Sequence, residues 1–416
     1  MSYYQHSRWL FEIGNVLIER GYHVTYITDE YNAQFTSGYP NLDVQAILPP
    51  TTTIYPNNTI FTSPLDEVTM WKTLEKVLES GYDASYDTMM EFFEKHSPDM
   101  VVCDMMLDFC ADVASDYGAP IAITSTSTMI HRQQSLCLGV PFLQWPCRQV
   151  MRLWYSFLWK DNKIHALKLI NNYFGLEPAQ DFDPLTHMVG PILPEQLDVF
   201  NLSNAEAQFL ATHTKVVLVA FGQHKLFHFN AQEIASLDMA LQEHHRCGNV
   251  DGVIWVTREE NNVCMNNQLV PTATTSGLDY MCVEWINQHT ILHHPAVRLF
   301  ISHGGSGGLH ESLDASTPLL LFPSMADQIP NAKQLQAEGV ARWHPRASEM
   351  DIQRIIEDLE FLLSSDNAPL QDSLKRHKTL VDLGKRRKHY AADLLGMIKG
   401  LDSACEKKRS NGSSLS

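Results

Sequence analysis

His303 is followed by Gly304, Gly305, Ser306, Gly307 and Gly308, and a carboxylate, Glu311, comes three residues after the last glycine. Glycines let a backbone approach a ligand closely, and the unpaired N–H groups at a helix start, with the helix dipole behind them, favour an anion such as phosphate. The flanks support that reading. Residues 297–302 are a short apolar run with one arginine and a proline shortly before it, the pattern of a buried parallel strand. The glycines give way to LHESLDA (309–315), a helix start, and then to a second apolar run, PLLLFP (318–323). A flexible linker has no such flanks. Neither GxGxxG nor GxxxxGK[ST] is present.

Other residues nearby could complete a nucleotide site. Glu311 can accept two hydrogen bonds from a ribose diol, and Trp285 offers a flat apolar face for a base. Asp327 and Gln328 follow a predicted strand. Ligands of doubly wound sheets lie at the carboxyl ends of strands, so these two residues and His303 are expected to converge on one crevice. Taken singly, each has another explanation: Trp285 also fits a core position, Glu311 a charge near a helix start, and Asp327 a cap for the next helix.

The elements that must position these residues read as two α/β domains. At 416 residues the chain exceeds one ordinary core. Residues 9–20 form an amphipathic helix carrying Leu10, Ile13 and Leu17 on one face, with Gly21 ending it. HVTYIT (23–28), PDMVVCD (98–104) and IAITST (121–126) read as strands, with helices between them. Residues 129–183 are less patterned and rich in aromatics, Trp145, Trp154, Trp159, Tyr173 and Phe174 among them, and these read mainly as core packing. VGPILPE (189–195) opens a boundary. KVVLVAFG (215–222) and DGVIWV (251–256) then begin a second half in the same style. The expected division is 1–200 for an N-terminal domain and 214–384 for a C-terminal domain. Residues 385–404 are expected to be a helix returning to the first domain, and 405–416 a disordered tail.

Composition excludes other classes. Hydrophobic residues at 44% and charged residues at 19% describe a globular protein. The net charge of −17 argues against non-specific nucleic-acid binding, and the one dense basic run, Lys385 to Lys388, reads as a solvated helix face. Eight cysteines without CxxC or Cys/His spacing suit a reducing compartment and offer no metal site. No apolar run of about 18 residues exists to span a bilayer, and the first residues contain no signal-peptide core. A cytoplasmic location without cofactor is expected.

The stretch 285–328 resembles the donor-binding signature of UDP-glycosyltransferases, inverting enzymes whose two Rossmann-like domains face each other across a cleft, the GT-B fold. The match comprises Trp285-x-x-Gln288, His303-x-Gly305, Glu311, Pro318, Pro323 and Asp327-Gln328. The resemblance implies that Trp285 stacks on uracil while Gln288 and Glu311 hold the ribose. It places the diphosphate on His303 and the amides of Gly305, Ser306, Gly307 and Gly308, and gives Asp327 and Gln328 the sugar hydroxyls. His6 aligns with the catalytic histidine and Asp104 with the aspartate that orients it. A neutral imidazole would take the proton of an acceptor hydroxyl as that oxygen attacks the anomeric carbon. The helix end and His303 would stabilise the departing UDP, with no metal.

The chain departs from the family at three places. Gly307 and Gly308 replace an asparagine and a serine, and Gln223 replaces a serine or threonine. Only MSYYQ precedes His6, where the family has the central strand of its N-terminal sheet, so that sheet is expected to lack its first strand. Relatives that are secreted or membrane-anchored carry a leader and a terminal apolar segment, and membrane association is expected only with such segments. The expected function is inverting transfer of a hexose from a UDP-sugar to a hydroxyl of a small, lipophilic acceptor. The alternative is a catalytically degenerate UDP-sugar-binding protein.

Overall fold

A computed structural model describes residues 4–49, 81–105, 107–126, 166–177, 182–194, 202–222, 229, 231–257, 264–265, 268–269, 277–324, 327–345 and 350–398. They form two compact units, one holding the described residues up to 194 together with 383–398, the other those from 202 to 382. The aromatic stretch 142–159, Gln223 and the tail 405–416 lie outside the described residues. No described helix is long and apolar enough to cross a membrane.

Unit 1 opens with α1 (Tyr4–Glu19). Trp9, Ile13, Val16 and Leu17 recur at helical spacing and are buried against Ala391, Ala392, Leu394 and Leu395 of the helix 388–398. Gly21 closes α1 with φ +88°, its N–H donating to the Ile18 carbonyl. The helix starts five residues earlier than its apolar periodicity suggests, because only the buried turns carry that pattern and the first turn is polar. His6 therefore lies within α1 rather than ahead of it.

β1 (Thr25–Thr28) and β2 (Asp43–Ala46) pair in parallel, with α2 (Glu30–Ala33) between them. α3 (Tyr82–His96), β3 (Val101–Asp104), α4 (Asp108–Tyr117), β4 (Ile121–Ser125), β5 (Leu167–Ile170) and β6 (Thr186–Met188) follow. β3 to β6 form a parallel sheet in sequence order. Among the described residues the β1–β2 pair is a separate sheet. Cys103 and Cys110 form a disulfide with a Cα–Cα distance of 5.7 Å, and Cys282 is also disulfide-bonded. This departs from the reading of the cysteines as scattered thiols. A spacing of seven residues carries no signal by itself, but the turn from β3 into α4 brings the two together.

Unit 2 contains α5 (Asn204–Thr212), β7 (Val216–Ala220), α6 (Ala231–Arg246), β8 (Gly252–Val256), a short antiparallel hairpin of β9 (Cys264–Met265) and β10 (Gln268–Leu269), and β11 (Asp279–Val283). α7 (Gln288–Leu292), β12 (Val297–Ser302), α8 (Ser306–Asp314), β13 (Leu319–Leu321), α9 (Gln328–Ala337), β14 (Ala341–Trp343), α10 (Ile352–Leu363) and α11 (Ala368–Lys385) complete it. Six strands form one parallel sheet in the order β11-β8-β7-β12-β13-β14. Every residue of β7 and β13 is buried, as expected of parallel strands covered on both faces. α6 and α10 cover part of the sheet, burying Leu237, Leu241, Ile355 and Leu359.

Candidate active site

The sheet of unit 2 reverses direction between β7 and β12. β8 and β11 extend to one side of β7, while β13 and β14 extend beyond β12. At such a switch point the loops leaving the two strands diverge and open a crevice. Gly222, two residues past β7, and His303, directly past β12, meet there. A Cβ built on Gly222 would lie 3.0 Å from His303 Cε1, and Gly222 has φ +77°. A Cβ on Gly305 would lie 2.7 Å from His303 Nε2. The half-buried imidazole therefore stands in a slot that only glycines on both sides leave open.

α8 begins inside the glycine run, at Ser306, with Gly305 as an extended N-cap that supplies no side-chain hydrogen bond. The sequence pattern placed the helix start after the glycines. Instead Gly307 and Gly308 form its first turn, so their amides are helix N-terminal donors aimed along the dipole. Gly305, Gly307 and Gly308 are all half-exposed.

On the next turn of α8, Glu311 is fully buried, yet its Oε2 accepts a 2.7 Å hydrogen bond from Gln288 Nε2 on α7. A Cβ on Gly308 would lie 3.2 Å from that same Gln288 nitrogen. Gln288, Gly308 and Glu311 thus form one polar edge beside the helix start. Trp285, three residues before Gln288, is 56% exposed. That exposure suits a stacking face rather than the core position its residue type also allowed.

At the other side, Ser306 Oγ donates to Asp327 Oδ2 at 2.8 Å, and Asn331 Nδ2 donates to the Gly304 carbonyl at 3.0 Å and to Asp327 Oδ2 at 3.1 Å. Gln328 is buried, its Oε1 accepting the Ser324 N–H at 2.9 Å. Asp327 is the N-cap residue of α9 but makes no side-chain cap bond, so the capping explanation does not account for it. Among the predicted donor residues of unit 2, direct contacts join Gln288 with Gly308 and Glu311, His303 with Gly305, and Ser306 with Asp327. Gly222 and Asn331 were not singled out from sequence. The signals available were the Phe-Gly that ends the strand pattern at 221–222 and the i,i+4 spacing of Asn331 from Asp327.

β12 is seated by His294, whose Nδ1 accepts the Ala296 N–H at 3.2 Å. Burial holds this imidazole below its usual range, which favours the neutral acceptor form.

Unit 1 carries the other predicted pair. His6 Nδ1 lies 3.0 Å from Asp104 Oδ2, joining α1 to the end of β3. The carboxylate accepts from Nδ1–H, which leaves Nε2 as the basic nitrogen. His6 and Asp104 are both largely buried, their side chains 23% and 14% exposed. Beside Asp104, the disulfide-bonded Cys103 accepts a bond from the buried Thr124 hydroxyl at 3.1 Å through its carbonyl.

Residues 207–367, which span this switch point and the whole glycine edge, match the family described as UDP-glucoronosyl and UDP-glucosyl transferase. The UDP-glycosyltransferase stmC of Aspergillus ustus is 25% identical over 72% of this chain and 64% of its own length. The family match falls wholly within unit 2. UDP-glycosyltransferase 1 of Phaeomoniella chlamydospora is 24% identical over 78% of this chain and 73% of its own. The chain spans a little under two thirds of the Aspergillus relative and of a Talaromyces amestolkiae UDP-glycosyltransferase. Among solved structures, the glycotransferase of kitacinnamycin has a TM-score of 0.68 at 18% identity, covering 95% of this chain and 96% of that one. Os79 from O. sativa, in complex with U2F and trichothecene, has a TM-score of 0.69 at 16% identity, covering 95% and 98%. These likenesses identify the fold as GT-B, with its α/β units built on parallel sheets.

Proposed function

We propose that this chain is a UDP-glycosyltransferase that transfers a hexose from a UDP-sugar to a hydroxyl of a small, lipophilic acceptor, with inversion at the anomeric carbon. The observation that carries the proposal is the Gln288–Glu311 hydrogen bond one turn from an N-terminus without a side-chain cap, at the switch point of a doubly wound sheet. That edge offers a buried carboxylate for a ribose diol next to amides for a diphosphate. Trp285 supplies a face for the uracil, His303 a donor to the diphosphate, and Asp327 and Gln328 polar groups for the sugar.

In this reading His6 Nε2 takes the proton of the acceptor hydroxyl as its oxygen bonds to the anomeric carbon. The bond from that carbon to the diphosphate oxygen breaks, and UDP leaves with the electron pair. Asp104 holds the imidazole in the required tautomer and stabilises the imidazolium. Attack opposite an α-linked diphosphate gives a β-glycoside. The reading requires the base of unit 1 and the cradle of unit 2 to act on the same sugar.

The test is incubation of the purified chain with UDP-glucose and a panel of sterols and phenols, following UDP release and product mass. Acceptor-dependent UDP release that His6→Ala abolishes is the expected result. A folded chain that gains thermal stability from UDP but releases none with any acceptor would instead be a donor-binding protein without transferase activity.

A further inference from the structure

The polar edge is braced from behind by a group the donor site does not use. His289 and His293 are four residues apart at α7, and Asp314 ends α8. The three offer ligand atoms that all lie within 4.8 Å of one another. His289 Nε2 is 2.7 Å from Asp314 Oδ2, and His293 Nε2 is 3.3 Å from the same oxygen. The side chains of His289 and Asp314 are each 1% exposed, whereas that of His293 is 22% exposed.

The tautomer of His293 is set by its other nitrogen. Nδ1 lies 2.9 Å from the His289 carbonyl oxygen. A carbonyl only accepts, so Nδ1 carries the hydrogen and the neutral ring presents a lone pair at Nε2. In the neutral ring that lone pair faces a carboxylate oxygen, and a cation between the two, a proton or a metal ion, makes the arrangement favourable. Lys378 does not fill that position: its Nζ lies 2.6 Å from the other oxygen, Oδ1, and 2.9 Å from Asp382. Held between those two carboxylates, Lys378 occupies Oδ1 and leaves Oδ2 of Asp314 towards the histidines.

The geometry points to a binding site for a divalent transition-metal ion of the zinc class, with His289 Nε2, His293 Nε2 and Asp314 Oδ2 as protein ligands and the fourth position open to water beside His293. Tetrahedral zinc with bonds of about 2.1 Å separates its ligand atoms by roughly 3.4 Å. The His293–Asp314 distance already meets this, and the His289–Asp314 distance must widen by about 0.7 Å as the ion replaces the Nε2 proton of His289. The ring keeps that proton by carrying it on Nδ1, so a neutral histidine takes the ion without net proton release. The site ties α7 to α8, the two elements that carry Gln288 and Glu311. It does not depend on sugar transfer, and its failure would leave the proposed activity untouched.

The test uses the full chain stripped with EDTA and titrated with zinc chloride by calorimetry, in two buffers of different ionisation enthalpy. One ion per chain with micromolar or tighter affinity, little net proton release, and at least a tenfold loss of affinity in His293→Gln are expected. His293 is chosen because His289 and Asp314 are buried and their variants risk misfolding. Cobalt separates this site from cysteine ligation. The parent should show visible bands of a nitrogen and oxygen tetrahedral site, absent from His293→Gln, with no thiolate charge-transfer band. Equal metal uptake by parent and His293→Gln, a thiolate band, or no bound ion in the parent would overturn the assignment.

Discussion

Gly305→Ala separates the geometry of the donor loop from the stability of the fold. Gly305 has φ −68° and ψ 140°, a backbone any residue adopts, so alanine introduces no torsional strain there. Replacing an N-cap glycine by alanine costs at most about 1 kcal/mol, a melting shift of roughly 2–4 °C in a unit of this size. The new methyl, however, would lie 2.7 Å from His303 Nε2, a distance that real side chains do not tolerate. Gly222 closes the opposite side of the ring, so His303 must rotate out of the crevice. Losing one hydrogen bond to a charged diphosphate is worth about 1.5–3 kcal/mol, or roughly a 10- to 100-fold rise in the Kd for UDP. Calorimetric titration of UDP, paired with thermal melting, reads both quantities. Gly304→Ala is the comparison. Its φ of +88° makes alanine cost about 1–2 kcal/mol in the backbone alone, so it should melt lower than Gly305→Ala. A folded Gly305→Ala protein that binds UDP within twofold of the parent would refute the assignment of His303 and the helix start to the diphosphate.

Three further outcomes are expected. Trp285→Ala should weaken UDP binding by about 1–3 kcal/mol, the worth of a base stacked on an aromatic ring, with little change in melting because the side chain is 56% exposed. His6→Ala should lower turnover about 10²–10⁴-fold and Asp104→Asn should lower it markedly, both with UDP affinity unchanged by calorimetry, since both residues belong to unit 1 and the proposed donor residues to unit 2. His377 is fully buried at the start of a charged stretch of α11, and burial, with Arg376 adding to it, holds its imidazole below the ordinary value of 6.5. The unfolded chain therefore takes up more protons below about pH 6.5 than the folded one, and stability falls as pH drops through that range. Melting curves from about pH 7.5 to 5 should show a shallower decline in His377→Gln.

Much of unit 2 was legible because its strands are buried on both faces and read as continuous apolar runs. The predicted strand at 297–302 coincides with β12, and the alternation of strands and helices gave the sheet its class. Boundaries were less legible where residue type and backbone disagree. Glycines read as loop, yet Gly307 and Gly308 sit in the first turn of α8, held by the packing of Leu309 and Leu313 behind them. Polar residues read as preceding the first helix, yet α1 runs from Tyr4 and carries His6. The contacts of the candidate site join residues far apart in sequence: Gln288 to Glu311, Gly222 to His303, His6 to Asp104. Only the resemblance to a family brought some of them together beforehand. The metal-type group went unread for the same reason, since the i,i+4 histidines meet their carboxylate only after β12 and α8 have folded back.

The order of strands explains why the glycines stand where they do. β7 connects onward to β8 on one side, and β12 to β13 on the other. Right-handed crossovers then send the two chains away to opposite faces of the sheet, so a crevice opens between β7 and β12 whatever their sequences. An imidazole at the first position past β12 must stand in that crevice, between the chain leaving β7 and its own loop. With Gly222 at φ +77° and Gly305 as the N-cap, both walls approach the ring closely enough to fix it and still leave the α8 amides half-exposed. A larger residue on either wall would fill the space a diphosphate needs. Topology alone therefore accounts for the crevice, but its narrowing follows from the residue types at 222, 303 and 305, and on the proposed reading that narrowed space takes the diphosphate while Gln288 and Glu311 take the ribose one turn further along.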